Sequence, residues 1–315
     1  MLKTTFLNNV LNQYKIKPFL VLLFLIIFSS TTFSETKLVI LGSGTPNPDP
    51  NRYGSGYAII VNEKAYIVDF GPGIVRRISA MSPSWGGEFF AMELENINIA
   101  FLTHIHSDHS GALADLILTP WVMGRDEPLK LFGPQGLKRM AIKITEAYED
   151  DINYRLYGSQ PANKLGYVTN VSEIFDDGLI YKDDNVEVTA FKNSHGDLED
   201  SFGYLFETND KKILFSGDTA VSENLKKYGK NLDILVHEVF SSETFENKSK
   251  EWQIYHKAHH TSSIDLGKIA NELKPNKLVL SHILFWGASS ESLLSDISQN
   301  FNGTSIIAED LSVID

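Results

Sequence analysis

The chain is 315 residues long, carries a formal net charge of −12 and contains nine histidines but no cysteine. Hydrophobic residues make up 43% and charged residues 22%, a globular balance that excludes a disordered chain, collagen and a coiled coil. The lack of cysteine excludes disulfides, iron–sulfur clusters, cysteine-based zinc sites and a cysteine nucleophile. The acidic balance argues against a general nucleic-acid-binding surface, because phosphate backbones attract basic proteins.

Residues 1–34 have the pattern of a secretory signal peptide. Basic residues precede the apolar run Pro18–Phe28, and the small residues Thr32 and Ser34 stand at the positions expected before a cleavage site. The run is short for a membrane span, which needs about 20 residues. The pattern predicts export to the periplasm or the outside, followed by a single domain over residues 35–315. An uncleaved N-terminal membrane anchor and a buried helix are the alternatives.

Apolar runs separated by turn residues predict alternating strands and helices in the rest of the chain. The predicted strands, in chain order, are Lys37–Leu41, Tyr57–Val61, Ala65–Val68, Ile97–Leu102, Leu129–Phe132, Val186–Phe191, Tyr204–Glu207, Lys212–Phe215, Ile234–Val236, Lys277–Leu280 and Ser305–Ile307. The predicted helices are Ile74–Met81, Ala112–Val122, Gln135–Tyr148, Ser262–Leu273 and Ser290–Gln299, and residues 149–173 are predicted to be a polar insert. Strands in both halves, with helices between them, favour two sheets with helices on the outside. One domain with two similar halves is the simplest interpretation.

Four side chains that can bind a metal fall within six positions, directly after the predicted strand Ile97–Leu102. They are His104, His106, Asp108 and His109. Residues two apart in an extended chain point to the same side, so His104 and His106 share one side, whereas Asp108 and His109 can face a second position. Imidazole and carboxylate without thiolate suit zinc, manganese or iron. Such a cluster is improbable as a chance surface loop and predicts a metal site.

Three further candidate ligands, His195, Asp218 and His282, each follow an apolar strand. Singly, each is typical of a capping or surface residue. Because they recur at strand ends after the first cluster, they indicate one site built at one edge of two sheets.

The order of these motifs resembles the metallo-β-lactamase superfamily, and within it the branch of ribonuclease Z and the zinc-dependent (type III) arylsulfatases. The resemblance covers about residues 37–285 and rests on the HxHxDH cluster and on the later motifs SGDT, HE and HHTS. It implies an α/β (α+β) fold, the four-layer αββα sandwich, with two divalent metal ions, zinc first and manganese or iron as alternatives. By this resemblance one metal is bound by His104, His106 and His195, the other by Asp108, His109 and His282, and Asp218 bridges the two.

The resemblance also implies catalytic roles for Asp108, Glu238 and His260. Asp108 is either a ligand or the group that orients the nucleophile, and the sequence leaves both open. Glu238 and His260 match a pair that assists proton transfer to the leaving group. The alternative is that Glu238 caps a strand end and His260 belongs to a helix start, where Thr261 and Ser262 are expected as caps.

Two features argue against transfer-RNA processing. Only 22 residues separate His195 from Gly217, too few for a strand pair plus the arm that ribonuclease Z carries there, and the chain is acidic. The expected substrate is a small anionic ester, an aryl sulfate or a phosphodiester, and no nucleic-acid partner is expected. Trp121 either contacts that substrate or packs in the core. Arg125 either contacts the substrate or pairs with a carboxylate.

Other functions compatible with the same ligands stay open. They are a lactonase or β-lactamase, a ribonuclease Z-like nuclease, and a metal-binding periplasmic protein without turnover. Membrane contact is expected only if the N-terminal segment stays uncleaved. A homodimer is common in this branch, although the sequence carries no dimer-specific signal.

Overall fold

Two seven-stranded sheets form in the computed structural model of the chain, which describes residues 35–315. The predicted signal peptide lies outside the described residues. The strands of the first sheet are β1 Lys37–Gly42, β2 Gly56–Val61, β3 Lys64–Val68, β4 Ile99–Phe101, β5 Leu129–Pro134 and β6 Thr169–Ile174. Those of the second are β7 Gly178–Lys182, β8 Val186–Lys192, β9 Phe202–Thr208, β10 Lys212–Phe215, β11 Ile234–Phe240, β12 Lys277–Leu284 and β13 Thr304–Ile307, and β14 Val313–Ile314 returns to the first sheet beside β1.

The two sheets share one pairing pattern. In the first sheet β14, β1, β2 and β3 pair antiparallel, and β3, β4, β5 and β6 pair parallel. In the second, β7 to β10 pair antiparallel and β10 to β13 pair parallel. The parallel pairs require crossover connections, which carry most of the helices. The expectation of two similar halves is thus met in the topology.

Helices occupy the connections between the strands. The α-helices are Ile74–Ala80, Ser107–Ser110, Leu113–Val122, Leu137–Ala147, Glu149–Tyr157, Glu223–Tyr228, Ser242–Phe245, Lys250–His259, Ser263–Leu273 and Ser290–Ser298. Short 3₁₀ turns cover Pro83–Trp85, Phe90–Met92 and Leu94–Asn96. No helix among residues 35–315 is both long enough and apolar enough to cross a membrane.

Alternation along the strands divides the core into layers. In β1, Leu38 and Ile40 lie in the layer between the sheets, whereas Val39 packs towards the helices outside the first sheet. In β10, Phe215 faces the same central layer and Leu214 packs towards the outer helices of the second sheet. Each such side chain contributes about 1.5–3 kcal/mol when fully buried. Both sheets are therefore covered on both faces, and the predicted αββα sandwich is confirmed.

The polar insert predicted for residues 149–173 is wrong, because it contains the helix Glu149–Tyr157 and the strand β6. The helix begins with three acidic residues, which interact favourably with a helix N-terminus. Strand β6 lies at a sheet edge and alternates half-buried and exposed side chains, so it lacks the apolar run that marks the central strands. The helix Lys250–His259 is likewise absent from the sequence prediction, since most of its side chains are exposed.

Trp121 and Arg125 are buried structural residues, so a direct substrate contact by either is wrong. The Trp121 indole donates to the Asn163 carbonyl. The Arg125 guanidinium makes no carboxylate pair among the described residues. It donates five hydrogen bonds to the carbonyls of Ile97, Leu116, Ile117 and Gly166. Burial lowers the pKa of Arg125 to about 10, which still leaves it protonated at neutral pH.

Replacing Arg125 is expected to destabilise the fold strongly. Arg125→Met leaves four buried carbonyls without their donor, and each unsatisfied buried group costs about 1–3 kcal/mol. We expect the free energy of unfolding to fall by at least about 3 kcal/mol in urea titrations. Arg139→Met, at an exposed arginine, is the matched control and should change stability by less than about 0.5 kcal/mol. Equal stability of the two variants would contradict the structural role.

Candidate metal centre

The predicted ligands meet at one edge of the sandwich. His104, His106, Asp108 and His109 follow β4, His195 follows β8, Asp218 follows β10 and His282 lies within β12. All are buried except His106, which is half-buried. Parallel strands end at the same edge of a sheet, which explains why residues so distant in sequence converge.

Two backbone positions in the left-handed region shape this edge. Gly217 has φ 59°, and a Cβ there would lie 2.7 Å from the Phe202 carbonyl oxygen, so only glycine permits the turn that aims Asp218 inward. His282 has φ 46° although it is not glycine. Such a conformation costs about 1–3 kcal/mol and persists where the surrounding structure enforces it, as at functional sites.

One group of candidate ligands consists of His104, His106 and His195. Their ring nitrogens approach closely: His104 Nε2 lies 3.0 Å from His106 Nδ1, which lies 3.3 Å from His195 Nε2. Two nitrogens bound to one tetrahedral zinc lie about 3.3 Å apart. Burial lowers the pKa of His104 well below its usual value and that of His195 to about 4. Both imidazoles are therefore neutral at pH 7, which is the form that binds metal.

The second group consists of Asp108, His109 and His282, whose ligand atoms lie within 4.8 Å of one another. Asp108 Oδ2 lies 3.0 Å from His282 Nε2 and 3.4 Å from His109 Nε2. The buried atoms His109 Nε2 and Asp218 Oδ1 find no hydrogen-bond partner among the described residues. An unsatisfied buried polar atom is costly, and a cation between these residues would satisfy both. The donor set thus fits divalent metal ions.

Asp218 lies between the two groups. Its carboxylate oxygens are 3.9 Å from His104 Nε2 on one side, and 3.5 Å from both His109 Nε2 and His282 Nε2 on the other. Burial by itself would raise the pKa of Asp218, but the surrounding histidines, first His282 and then His109, lower it well below its usual value. The carboxylate is therefore charged and faces both groups. The structure brings all seven predicted ligands together, and their assignment to two metals stays a prediction.

Asp69 supports the site, although the sequence prediction gave it no role. Its carboxylate accepts hydrogen bonds from the Thr103 backbone N–H at 2.8 Å and from the Thr103 hydroxyl at 3.0 Å, and lies 2.8 Å from His109 Nδ1. A carboxylate on one ring nitrogen fixes the tautomer and turns the other nitrogen towards the metal. The signals in the sequence are its place at the end of an apolar strand, before Gly71, and the resemblance of this stretch to the ribonuclease Z branch.

Glu238 and His260 are buried next to the ligands. His260 Nδ1 lies 3.3 Å from Glu238 Oε2 and 3.9 Å from Asp218 Oδ2. The Thr261 backbone N–H donates to Glu238 Oε1 at 2.7 Å. Burial, helped by the charge of Asp218, raises the pKa of Glu238 well above its usual value, and burial lowers that of His260 to about 4. These opposite shifts favour a protonated Glu238 carboxyl beside a neutral His260 imidazole.

The two predicted caps differ. The Ser262 hydroxyl accepts from the Asp265 backbone N–H at 3.1 Å and caps the helix Ser263–Leu273, as predicted. The Thr261 hydroxyl instead donates to the Thr219 carbonyl at 2.7 Å, so its predicted role as a cap is wrong. That bond ties the HHTS segment to the loop that carries Asp218.

A cavity of about 430 Å³ opens onto the candidate ligands. Its inner wall includes His106, Asp108, Asp218, His260 and His282. Its outer wall comes from two segments that the sequence prediction left without a role, and contains Lys248, Trp252, Tyr255, His256 and Trp286. The cavity can therefore hold a substrate with one end at the metal centre and another end against aromatic rings.

Comparisons with known proteins agree with this geometry. The family model described as anti-Pycsar protein Apyc1 matches residues 36–282. Ribonuclease Z of Mycobacterium bovis (strain BCG / Pasteur 1173P2) is 26% identical over 253 residues, which cover 78% of this chain and 85% of that protein. Both proteins are therefore aligned over most of their length.

Solved structures with the same fold include the metallo-β-lactamase fold protein YhfI from Bacillus subtilis. It has a TM-score of 0.69 at 18% identity and covers 90% of this chain and 100% of its own. Human tRNase Z, short form, has a TM-score of 0.65 at 21% identity, with coverage of 89% and 98%. Zinc-bound PqqB from Methylobacterium extorquens has a TM-score of 0.60 at 18% identity, with coverage of 89% and 99%. The fold is that of the metallo-β-lactamase superfamily.

The expectation that the substrate is only a small anionic ester, with no nucleic-acid partner, is wrong, because proteins similar to this chain include ribonuclease Z, which acts on RNA. That expectation rested on the net charge of the chain and on the missing arm. As expected, β9 and β10 fill the short connection between His195 and Asp218. The seven candidate ligands are buried or half-buried and converge whatever the net charge of the chain.

Proposed function

Because the chain belongs to the anti-Pycsar protein Apyc1 family of metallo-β-lactamase-fold hydrolases, we propose that it hydrolyses a phosphodiester bond of a nucleotide or RNA with two divalent metal ions, zinc first among them. The observation that carries the proposal is the position of Asp218 between two ligand groups of three residues each. Paired metal sites of this kind are typical of phosphatases and nucleases.

Two bound divalent ions would activate a water molecule and neutralise charge on the phosphate oxygens. The protein's own residues then have separate tasks. Asp218 lies between the two ligand groups and fixes their relative position. Asp108 is placed both to bind a metal and to orient the attacking water. The cavity beside them orients the diester so that its leaving oxygen faces His260.

The Glu238–His260 pair would deliver the proton to the leaving oxygen. Because burial favours protonated Glu238 and neutral His260, Glu238 donates to Nδ1 of His260 across their 3.3 Å contact. In that arrangement Nε2 of His260 carries the N–H and can donate it to the leaving oxygen while Nδ1 takes up the proton of Glu238. In this proposal the pair passes one proton from Glu238 through His260 to the leaving oxygen.

An aryl sulfate fits the same ligands, since sulfate and phosphate esters share a tetrahedral anionic centre. The ribonuclease relatives favour phosphorus over sulfur. They also favour phosphorus over the carbonyl of a lactone or a β-lactam. A protein that binds metal without turnover has no support in the sequence, because all seven candidate ligands and both members of the Glu238–His260 pair are present.

A comparison of substrates tests the proposal. The purified full chain, loaded with zinc, is assayed with bis-p-nitrophenyl phosphate, p-nitrophenyl sulfate and p-nitrophenyl acetate, which share one leaving group. The proposal predicts that kcat/KM is highest for the diester, and that chelation abolishes its turnover. A preference for the sulfate would overturn the proposal in favour of an arylsulfatase, and turnover of the acetate alone would overturn it in favour of a carboxylic ester hydrolase.

We also propose that residues 1–34 direct export to the periplasm or outside and are removed. The support is the basic segment, the apolar run and the small residues before Glu35. Expression of the full chain in a Gram-negative host is expected to yield periplasmic protein whose N-terminus, measured by mass spectrometry, lies within a few residues of Glu35. Cytoplasmic protein that retains Met1 would contradict export.

A further inference from the structure

We propose that Trp252, Tyr255 and Trp286, here called the aromatic wall, bind the nucleobase of the substrate, with the base stacked on Trp252 and the phosphodiester at the metal centre. This inference rests on the proposed function, which supplies the bond that is cut, and adds the part of the substrate that is recognised. It assigns a function to the helix Lys250–His259.

Trp252 and Tyr255 are exposed aromatic residues in the wall of the substrate cavity. They lie on the helix Lys250–His259, and 55% of Trp252 and 38% of Tyr255 is exposed. Both line the same cavity as the candidate ligands His106 and Asp108. Large aromatic side chains left exposed beside a polar site are typical of ligand contact rather than of core packing.

The aromatic wall is held in place from behind. The Trp252 ring packs nearly parallel to the buried His256, at 24° and 5.5 Å between ring centres, and His256 contacts Trp286 at 4.5 Å. Trp286 in turn packs on Phe240 at 5.7 Å. The helix that carries Trp252 is capped by Ser249, whose hydroxyl accepts from the Trp252 backbone N–H at 3.5 Å. A supported ring loses little conformational entropy when a base stacks on it.

The charge of the wall fits a nucleotide. Lys248 is the one lysine or arginine that lines this cavity in the described part of the chain. Its Nζ lies 4.2 Å from the centre of the Trp286 ring. It forms no ion pair with any residue from 35 to 315, so its charge is available for an anion. Aromatic platforms next to a cation, along the path of a phosphate backbone, are how proteins bind unpaired bases.

A second copy of the chain could also cover exposed aromatic residues. The cavity favours a base, because the aromatic wall is continuous with the metal centre and forms its outer side. A protein interface is therefore an outcome of the test rather than the proposal.

Two diesters with the same p-nitrophenolate leaving group test the aromatic wall. Thymidine 5′-(p-nitrophenyl phosphate) carries a base and methyl p-nitrophenyl phosphate does not. Removing a stacking platform weakens binding of one base by about 5- to 150-fold. In the zinc-loaded full chain, Trp252→Ala is expected to raise KM for the thymidine diester about 10-fold more than KM for the methyl diester. Trp252→Phe should restore most of the loss, because its ring still stacks.

Trp85→Ala is the matched control, because Trp85 is 74% exposed and does not line the cavity. It should change KM for neither diester. Equal losses for both diesters in Trp252→Ala would overturn the proposal and give Trp252 a structural role. An altered molecular mass of this variant in light scattering would overturn it in favour of an interface between copies.

Calorimetry with thymidine 5′-monophosphate and inorganic phosphate provides a readout that does not need turnover. Trp252→Ala is expected to raise the Kd for the nucleotide about 10-fold more than the Kd for phosphate. An equal rise in Kd for both ligands would overturn the proposed role of the aromatic wall. Failure of the proposed function is a separate result, because the wild type would then turn over neither diester while calorimetry would still report base binding.

Discussion

Asp218→Ala is expected to lose metal and activity together. The Asp218 carboxylate is within 3.9 Å of ligand nitrogens of both groups, so its removal weakens both sites at once. Substitution of a group that merely supports a ligand costs about 10- to 100-fold in metal affinity or activity. A shared ligand should cost at least about 100-fold in each. Metal per chain, measured by plasma mass spectrometry after dialysis, and kcat for bis-p-nitrophenyl phosphate are the two readouts.

Asp218→Asn distinguishes loss of the ligand charge from collapse of the buried cluster, because it keeps the shape of the side chain. It should keep the wild-type fold and still lose zinc. Asp126→Ala, at an exposed carboxylate outside the cavity, should retain metal and activity. Full zinc occupancy in Asp218→Ala would reject the bridging assignment.

His260→Ala is expected to slow substrates with poor leaving groups far more than those with p-nitrophenolate. A positioned acid contributes about 10²- to 10⁴-fold, but p-nitrophenolate departs readily without a proton. Loss of kcat/KM for a dinucleotide, whose leaving group is an alkoxide, should thus exceed the loss for bis-p-nitrophenyl phosphate by at least about 100-fold. Glu238→Gln should likewise lower kcat/KM for the dinucleotide more than for bis-p-nitrophenyl phosphate, because the proton reaches His260 through Glu238.

His259→Ala is the matched control for this prediction. The His259 backbone carbonyl lies 2.8 Å from His195 Nδ1 and stays in place in the variant, whereas the ring contact with His195, at 5.0 Å between ring centres, is lost. Its ring stacks on Tyr255, and its side chain makes no hydrogen bond or ion pair with Glu238. We expect no dependence on the leaving group in this variant. If His260→Ala slows both substrates equally, His260 is a structural residue.

The metal centre could be predicted from the sequence because its residues follow strands. The HxHxDH cluster carries its own pattern, and His195, Asp218 and His282 follow or lie in apolar strands that β-pairing brings to one edge. The strand period and the resemblance to a known superfamily therefore supplied the fold and the candidate ligands. The conformation of His282, with φ 46°, is set by its surroundings and leaves no mark in the sequence.

What the sequence did not predict depends on tertiary contacts. Asp69 reaches His109 across 40 positions, and no periodicity connects them. The helix Lys250–His259 has weak apolar patterning because most of its side chains are exposed, so the sequence gives no signal that Trp252 lines the cavity. Arg125 is held by backbone carbonyls, which a sequence does not display. The expectation of no nucleic-acid partner was wrong because it rested on net charge, which is a property of the whole surface and does not describe a local site.

Two metal ions are expected to act together in phosphodiester hydrolysis. The most direct measurement is a titration of the metal-free full chain with zinc, in which bound zinc per chain and turnover of bis-p-nitrophenyl phosphate are recorded at each addition. We expect no turnover without zinc, and activity that keeps rising until two zinc ions are bound per chain. Full activity with one zinc per chain, or diester turnover that persists without metal, would contradict it.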